Sequence, residues 1–337
     1  MLLVSGDIRR RAGGNLYDRK MERACRRAGL ALRILSVRST PEARSALARL
    51  EPRVIVIDSI AIAIAAPLVR WAHETLHARV IALMHMSTAV RGTRALLRAA
   101  DRVVAVSPEL AAVLARAGVP RSRMAVIPPG SDGIPRMPRR KSPFHESRAV
   151  AREHRPLRVL SVANWSRAKG IATLVAAVAH VPEVRLDLVG GAGSGAYRDS
   201  VLARIRSSRL ASRVVIHGTL DERALARLYA QADVFALTTE REGYGIVFAE
   251  ALRHGLPIIA ADIDPVRRLV GDAGVFMPPR RVRPLIGALR LMTDAWLRAR
   301  LARSARVRAR ALPRWTASQA LFVALVRREM HVAVAGR

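Results

Sequence analysis

Cysteine is nearly missing from this chain: Cys25 stands alone in 337 residues. A lone thiol excludes an intramolecular disulfide framework and any cysteine-based metal cluster, and it fits a reducing, cytoplasmic setting. Cys25 itself is expected to be a small buried apolar residue on a helix, not a nucleophile. Aromatic residues make up only 4%, too few to suggest a platform on which nucleic-acid bases would stack. The longest apolar run, residues 54–69, is interrupted by Asp58 and Pro67 and is shorter than a membrane-spanning helix needs. It reads as a buried strand followed by a helix. No basic leader precedes Met1-Leu2-Leu3-Val4, so no secretory signal is expected.

Acidic residues are also scarce, 26 against 58 basic, which leaves a net charge of +32. The excess is shared equally between the two halves and is not held in one tail. Lysine is scarcer still: Lys20, Lys141 and Lys169 are the only three, and every other basic residue is Arg. One reading is a compositional bias. The other is attraction to a polyanion, and the shortage of aromatics favours an anionic membrane surface over nucleic acid.

What is abundant is apolar sequence, 51% of the chain, enough for the cores of two α/β domains at this length. In the N-terminal half, strand-like runs at 2–5, 32–37, 54–58, 80–84, 102–107 and 124–127 alternate with helical patterns at 16–28, 93–100 and 108–117, with Gly13 and Gly14 in the loop before the first helix. Residues 135–156 are polar, basic and proline-punctuated, as linkers are. The second half resumes with strand candidates at 158–162, 185–189, 213–217, 234–237 and 258–260, separated by helical patterns at 171–179, 197–207, 222–232 and 248–253. Continuous apolar strands alternating with helices predict parallel sheets covered on both faces, with ligands at the carboxyl ends of the strands. The expected fold class is therefore α/β, with two Rossmann-like parallel-sheet domains facing a cleft: an N-terminal domain over 1–134, the linker over 135–156, a C-terminal domain over 157–312, and a C-terminal helix from 313 to 337.

Three stretches carry chemistry. Glu242-Gly243-Tyr244-Gly245-Ile246 follows a strand and opens a helix that contains Glu250. Its glycines let a ligand approach the backbone, and a helix N-terminus favours phosphate. Asn164-Trp165-Ser166-Arg167-Ala168-Lys169-Gly170 is a strand end, a loop and a helix start, which puts an ammonium beside free amides, as a diphosphate requires. The loop from Gly190 to Gly195 lacks the Gly-Lys-Ser/Thr ending of a P-loop and reads as a wall of a nucleotide pocket.

In its second half the chain resembles the GT-B retaining glycosyltransferases of family 4. The resemblance rests on Lys169-Gly170, Gly190-Gly191, His217-Gly218, the segment Leu228 to Asp233, and the E-x7-E spacing of Glu242 and Glu250. It is weaker in the first half, where Gly13-Gly14-Asn15-Leu16-Tyr17, residues 103–107 and residues 127–132 carry it. The resemblance implies that Lys169 holds the donor diphosphate and that Glu242 faces the transferred sugar, these two being the catalytic candidates. It implies that the amides of Gly243, Tyr244, Gly245 and Ile246 bind sugar hydroxyls and phosphate, and that Glu250 accepts from the ribose. Gly14, beside Gly13, would let the N-terminal loop approach the diphosphate. His85 would contact the sugar or the acceptor, Gly190 would shape the nucleotide pocket and His217 would stand beside the base. The tail from Pro313 would pack back on the N-terminal domain.

Two positions depart from the family pattern: Asn164 stands where Arg is frequent, and Met86 where an acidic residue often follows the histidine. The implied function is sugar transfer from a nucleotide-diphosphate donor to a glycan, lipid or small-molecule acceptor, with retention of configuration. No cofactor is expected beyond the donor. No metal is demanded either, since no DxD motif stands near the donor loops. The implied location is cytoplasmic, at the inner face of the membrane. Two alternatives stay open: a basic polyanion-binding protein on a degenerate GT-B fold, and a GT-B nucleotide-sugar epimerase.

Overall fold

The computed structural model describes residues 1–8, 13–87, 90–135 and 155–335. Most of the expected linker, residues 136–154, lies outside the described residues. The chain divides into two units, Met1–Gly130 with Pro313–Arg337, and Ser131–Leu312.

The first unit runs β1 (Leu2–Val4), α1 (Gly13–Arg27), β2 (Ile34–Ser36), α2 (Thr40–Leu50), β3 (Val54–Asp58), α3 (Ile62–Ala65), α4 (Val69–Leu76), β4 (Arg79–Met84), α5 (Thr93–Ala99), β5 (Arg102–Ala105), α6 (Pro108–Arg116) and β6 (Met124–Val126). The second runs β7 (Leu157–Val162), α7 (Ile171–Val178), β8 (Val184–Val189), α8 (Ala196–Ser207), β9 (Val214–Gly218), α9 (Glu222–Gln231), β10 (Val234–Leu237), α10 (Ile246–Arg253), β11 (Ile258–Ala261), α11 (Asp264–Val270), β12 (Gly274–Met277), α12 (Val282–Leu291) and α13 (Ala295–Ala311). The last helix, α14 (Trp315–Ala335), belongs to the first unit.

Apolar periodicity brought out the central strands because they have no polar face to alternate with: all five residues of β3 are buried, as are all four of β10. The helix expected after β3 in the run 54–69 is found as α3, but periodicity did not bring out α2, α4, α11, β12, α12 or α13. Gly13 and Gly14 are in the first turn of α1, not in the loop before it. Caps fix several helix starts. Ser107 Oγ accepts the Leu110 N–H at 3.1 Å with Pro108 in the first turn of α6, and Ser39 does the same for Glu42 in α2.

Each sheet has six strands, and every pairing is parallel. The orders are β2-β1-β3-β4-β5-β6 and β12-β11-β10-β7-β8-β9. In the first sheet the direction of growth reverses between β1 and β3, and in the second between β7 and β10. At such a switch point the loops leaving the two strands turn to opposite faces and open a crevice at the carboxyl edge.

Helix α14 lies against α1, β3 and β4 within the first unit. Phe322 and Val326 are buried, and the Tyr17 ring meets Trp315 and Phe322 edge-on at centroid distances of 6.1 and 6.4 Å. Beside them Glu329 is fully buried as an acid: one oxygen accepts from Arg79 at 2.9 and 3.0 Å, the other from Arg102 Nε at 2.7 Å. Truncation of Glu329 would take a carboxylate from two partly desolvated guanidinium groups, leaving Arg79 with Asp101 and Arg102 with the Ser122 carbonyl. Glu329→Ala is therefore expected to cost about 3 kcal/mol in urea unfolding, towards the low end of what breaking a buried pair costs because both arginines still reach water. An unchanged midpoint would show that apolar packing alone holds α14.

Candidate active site

The crevice of the second sheet is made by the loops after β7 and β10, and these loops are locked to each other. The Glu240 N–H donates to Ala168 O at 2.8 Å, and Thr238 Oγ1 donates to Gly170 O at 3.0 Å. Gly170 has φ +68°, and a Cβ there would overlap Thr238, so only glycine fits the crossing. Just before it, Lys169 ends a short 3-10 turn, Arg167–Lys169. Its ammonium makes a direct ion pair with Glu242 of the facing loop. The Lys169 side chain is 28% exposed and that of Glu242 13%, so the pair is mostly withdrawn from solvent. The structure thus brings together the two residues singled out as catalytic candidates.

From Glu242 the chain passes through Gly243 and Tyr244 to Gly245, which caps α10 with φ +92°. The first amides of α10, from Ile246 on, have no carbonyl within the helix to donate to, and they carry the positive end of its dipole. One turn further on, Glu250 is buried, and its Oε2 accepts the Tyr229 hydroxyl at 3.0 Å. Burial raises the Glu250 carboxyl to about 7; the Tyr229 hydrogen bond pulls the other way, and Glu222 adds to the rise.

On the other flank of β7, the glycine loop after β8 is folded against the loop that holds Lys169. Gly190 packs so close to Ala163 O that a side chain would overlap it, and Asn164 Oδ1 accepts the Gly191 N–H at 3.0 Å. Asn164 thus spends its side-chain carbonyl on loop geometry. His217 Nε2 meets Asp187 Oδ1 at 2.8 Å, and Arg158 reaches the other oxygen of Asp187 at 3.4 Å. That carboxylate fixes how the imidazole points.

The first unit has a constellation of its own at its switch point. His85 follows β4, Asp58 ends β3, and Asp18 rises from α1. His85 Nε2 is 3.2 Å from Asp18 Oδ1 and 3.7 Å from Asp58 Oδ2, and both aspartates are fully buried. Burial alone would lower the His85 pKa, but the Asp58 and Asp18 carboxylates outweigh it and raise it to about 9. Burial, together with Asp18, raises Asp58 to about 7. A Cβ on Gly14 would come within 3.2 Å of the His85 ring, so that glycine lets α1 close over the imidazole. Among the described residues these three also have ligand atoms within 4.8 Å of one another, the reach of one cation. While His85 holds its proton, its imidazole has no lone pair for a metal.

Sequence reasoning missed Asp18, Asp58, Asp187, Thr238 and Tyr229. A signal existed for two of them: Asp58 closes the apolar run of β3, and Asp187 stands between Leu186 and Leu188 in β8, where a buried charge needs a partner. Nothing local marks Tyr229 or Thr238.

Comparison with known proteins bears on the family and the fold. The family described as Glycosyl transferases group 1 matches residues 144–308, and the one described as Glycosyltransferase Family 4 matches residues 10–132. A D-inositol 3-phosphate glycosyltransferase from Xylanimonas cellulosilytica is 34% identical over 237 residues, 66% of this chain and 55% of the relative. A phosphatidyl-myo-inositol mannosyltransferase from Mycobacterium tuberculosis is 34% identical over 112 residues, 32% of this chain and 28% of its own length. The chain thus spans about half, or less, of the curated relatives it matches. Among solved structures, a sucrose-phosphate synthase from Thermosynechococcus elongatus superposes with a TM-score of 0.79 at 21% identity, covering 98% of this chain and 99% of the other. The Anabaena HepE protein in complex with UDP and glucose does so with a TM-score of 0.75 at 18% identity, covering 97% and 99%. At those identities the likeness shows the fold, two six-stranded parallel sheets of the GT-B architecture.

The buried acid gives a signed prediction. A carboxyl whose pKa is raised on folding contributes stability below its unfolded value of 4.5 and loses it as pH rises through 7. Glu250→Gln keeps an acceptor for Tyr229 and removes the titration. The variant is expected to melt higher than the parent at pH 8, on the order of 3 kcal/mol at most, and to converge with it at pH 4. Parallel melting profiles across that range would refute the raised pKa.

Proposed function

This chain belongs to the group 1 glycosyltransferases of family 4, and we propose that it moves a sugar from a nucleoside-diphosphate donor to a hydroxyl acceptor with retention of anomeric configuration. The observation that carries the reading is the pairing of Lys169 with Glu242 across the β7–β10 switch point, beside the N-terminus of α10. Breaking a sugar–phosphate bond sends an electron pair to the diphosphate and leaves positive character on the ring. An ammonium has three donors, so Lys169 keeps Glu242 and takes a phosphate oxygen as well. The amides of Gly243 to Ile246 meet the same developing charge, fixed in place before the reaction begins. Glu242, held by Lys169, faces the electron-poor ring carbon. Glu250, oriented through one oxygen by Tyr229, offers the other to the ribose hydroxyls.

The acceptor oxygen approaches on the face the diphosphate leaves, and the departing phosphate oxygen takes its proton, so no side chain is assigned as general base. In the other unit, His85 is the candidate for binding the acceptor, with Gly14 letting α1 close over one side of its ring. That HepE is solved with UDP and glucose supports a uridine or related nucleotide as the donor's leaving group. The acceptor is left at the class of glycan, lipid or small molecule. The net charge of +32 goes with a place in the cytoplasm at an anionic inner membrane face, and among the described residues no helix is long and apolar enough to cross a membrane. The polyanion-binding and epimerase alternatives are not favoured, because the family relatives are named for sugar transfer to an acceptor.

Lys169→Ala and Glu242→Ala, assayed for nucleoside-diphosphate release over a panel of donors and acceptors, are each expected to lose about a hundredfold in rate or more. Lys169→Ala is also expected to weaken the thermal stabilisation given by UDP, whereas Glu242→Ala keeps most of it. Full activity in both variants would overturn the reading.

A further inference from the structure

Helix α13 is amphipathic in an unusual sense. One side packs into the second unit through Leu301, Ala302 and Ala305. The opposite side leaves Trp296 78% exposed and Val307 61% exposed. At about 100° per residue, Trp296 and Val307 lie within about 20° of each other on the helix surface, with Arg303 about 20° to one side, Arg300 about 40° to the other and Arg310 about 40° from the indole. All three arginines are exposed, Arg306 extends the same basic edge, and α13 contains no Asp or Glu. Asp294, just before the helix, is the one exposed acid beside this face; it serves as the cap and accepts the Trp296 N–H at 2.8 Å. The end of α12 adds Leu291, 54% exposed.

A large indole ring held out in water is not a packing solution, and a ring of arginines on a helix without acids repels another basic surface. The two features together fit one environment, where an indole sits at headgroup depth and guanidinium groups fork onto phosphates. We propose that the exposed side of α13 is the surface with which this protein lies on an anionic bilayer, Trp296 entering the headgroup layer and Arg300, Arg303 and Arg310 pairing with lipid phosphates. Nucleic acid offers the same phosphates, but a single indole gives one stacking position and no platform. The inference rests on the membrane placement in the proposed function and is independent of the sugar-transfer chemistry.

The test is co-sedimentation of the whole chain with vesicles of phosphatidylcholine alone and of phosphatidylcholine mixed with phosphatidylglycerol, at low and physiological salt. Binding is expected only to the mixed vesicles and is weakened by salt. Trp296→Ala is expected to weaken it about tenfold, and the triple change Arg300→Gln, Arg303→Gln, Arg310→Gln about a hundredfold. Both variants should keep the parent's thermal response to UDP, which reads the donor site and so separates failure of this inference from failure of the transferase reading. Hydrogen–deuterium exchange of the unaltered chain checks the same point without mutation: vesicles should slow exchange in residues 295–311. The proposal is overturned if the chain ignores mixed vesicles, if the variants bind them as the parent does, if protection falls elsewhere, or if α13 retains duplex DNA and not lipid.

Discussion

A parallel strand cannot be followed directly by its neighbour; the chain must cross back over one face, and each crossing puts a loop at the carboxyl edge of the sheet. That constraint decides where chemistry can sit in both units. In the second unit the strand order splits at β7 and β10, so two loops that are distant in sequence leave side by side on opposite faces. The contact between Ala168 and Glu240, and that between Gly170 and Thr238, weld those loops into one wall. The ion pair of Lys169 and Glu242 is the product of that weld. Without the split the two side chains would belong to different surfaces.

The parts of the fold legible in the sequence were those where burial erases alternation. Strand β10 is apolar from end to end, and β3 and β4 are apolar except for Asp58 at the end of one and Arg79 at the start of the other, so all three identify themselves. Helix α13 was not legible, because arginines all round it hide the period of its apolar stripe, and α12 was not because Pro284 and Gly287 read as loop punctuation. The site divides in the same way. Lys169, Glu242 and the glycines beside α10 were visible because their chemistry is local, a charge or a bare backbone next to a helix start. Partners that act across the sheet were not: Tyr229 comes to Glu250 from another helix, and Asp187 comes to His217 from the neighbouring strand. Such pairs are set by register and layer, which one-dimensional periodicity does not encode.

The buried acids of the two units sit in contrasting surroundings. Glu250 has a neutral hydroxyl for company and is raised by desolvation. Asp18 and Asp58 share one imidazole, which keeps a proton well above its ordinary range. The first arrangement leaves a carboxyl whose charge changes near neutrality. The second keeps a fixed cation at the head of the first sheet. Each is placed at a switch point, where the backbone supplies the cavity and only a few side chains need to supply the sign of the charge.

Helix α14 is translated after the entire second unit, yet it completes the first. Until it emerges from the ribosome, the face of α1, β3 and β4 that it covers, with Tyr17 among its residues, has no lid, and Arg79 and Arg102 have no Glu329 between them. The first sheet is thus the earliest to be made and the last to be finished. For as long as its middle takes to synthesise, the first unit carries an uncovered apolar face, the kind of surface through which incomplete chains aggregate.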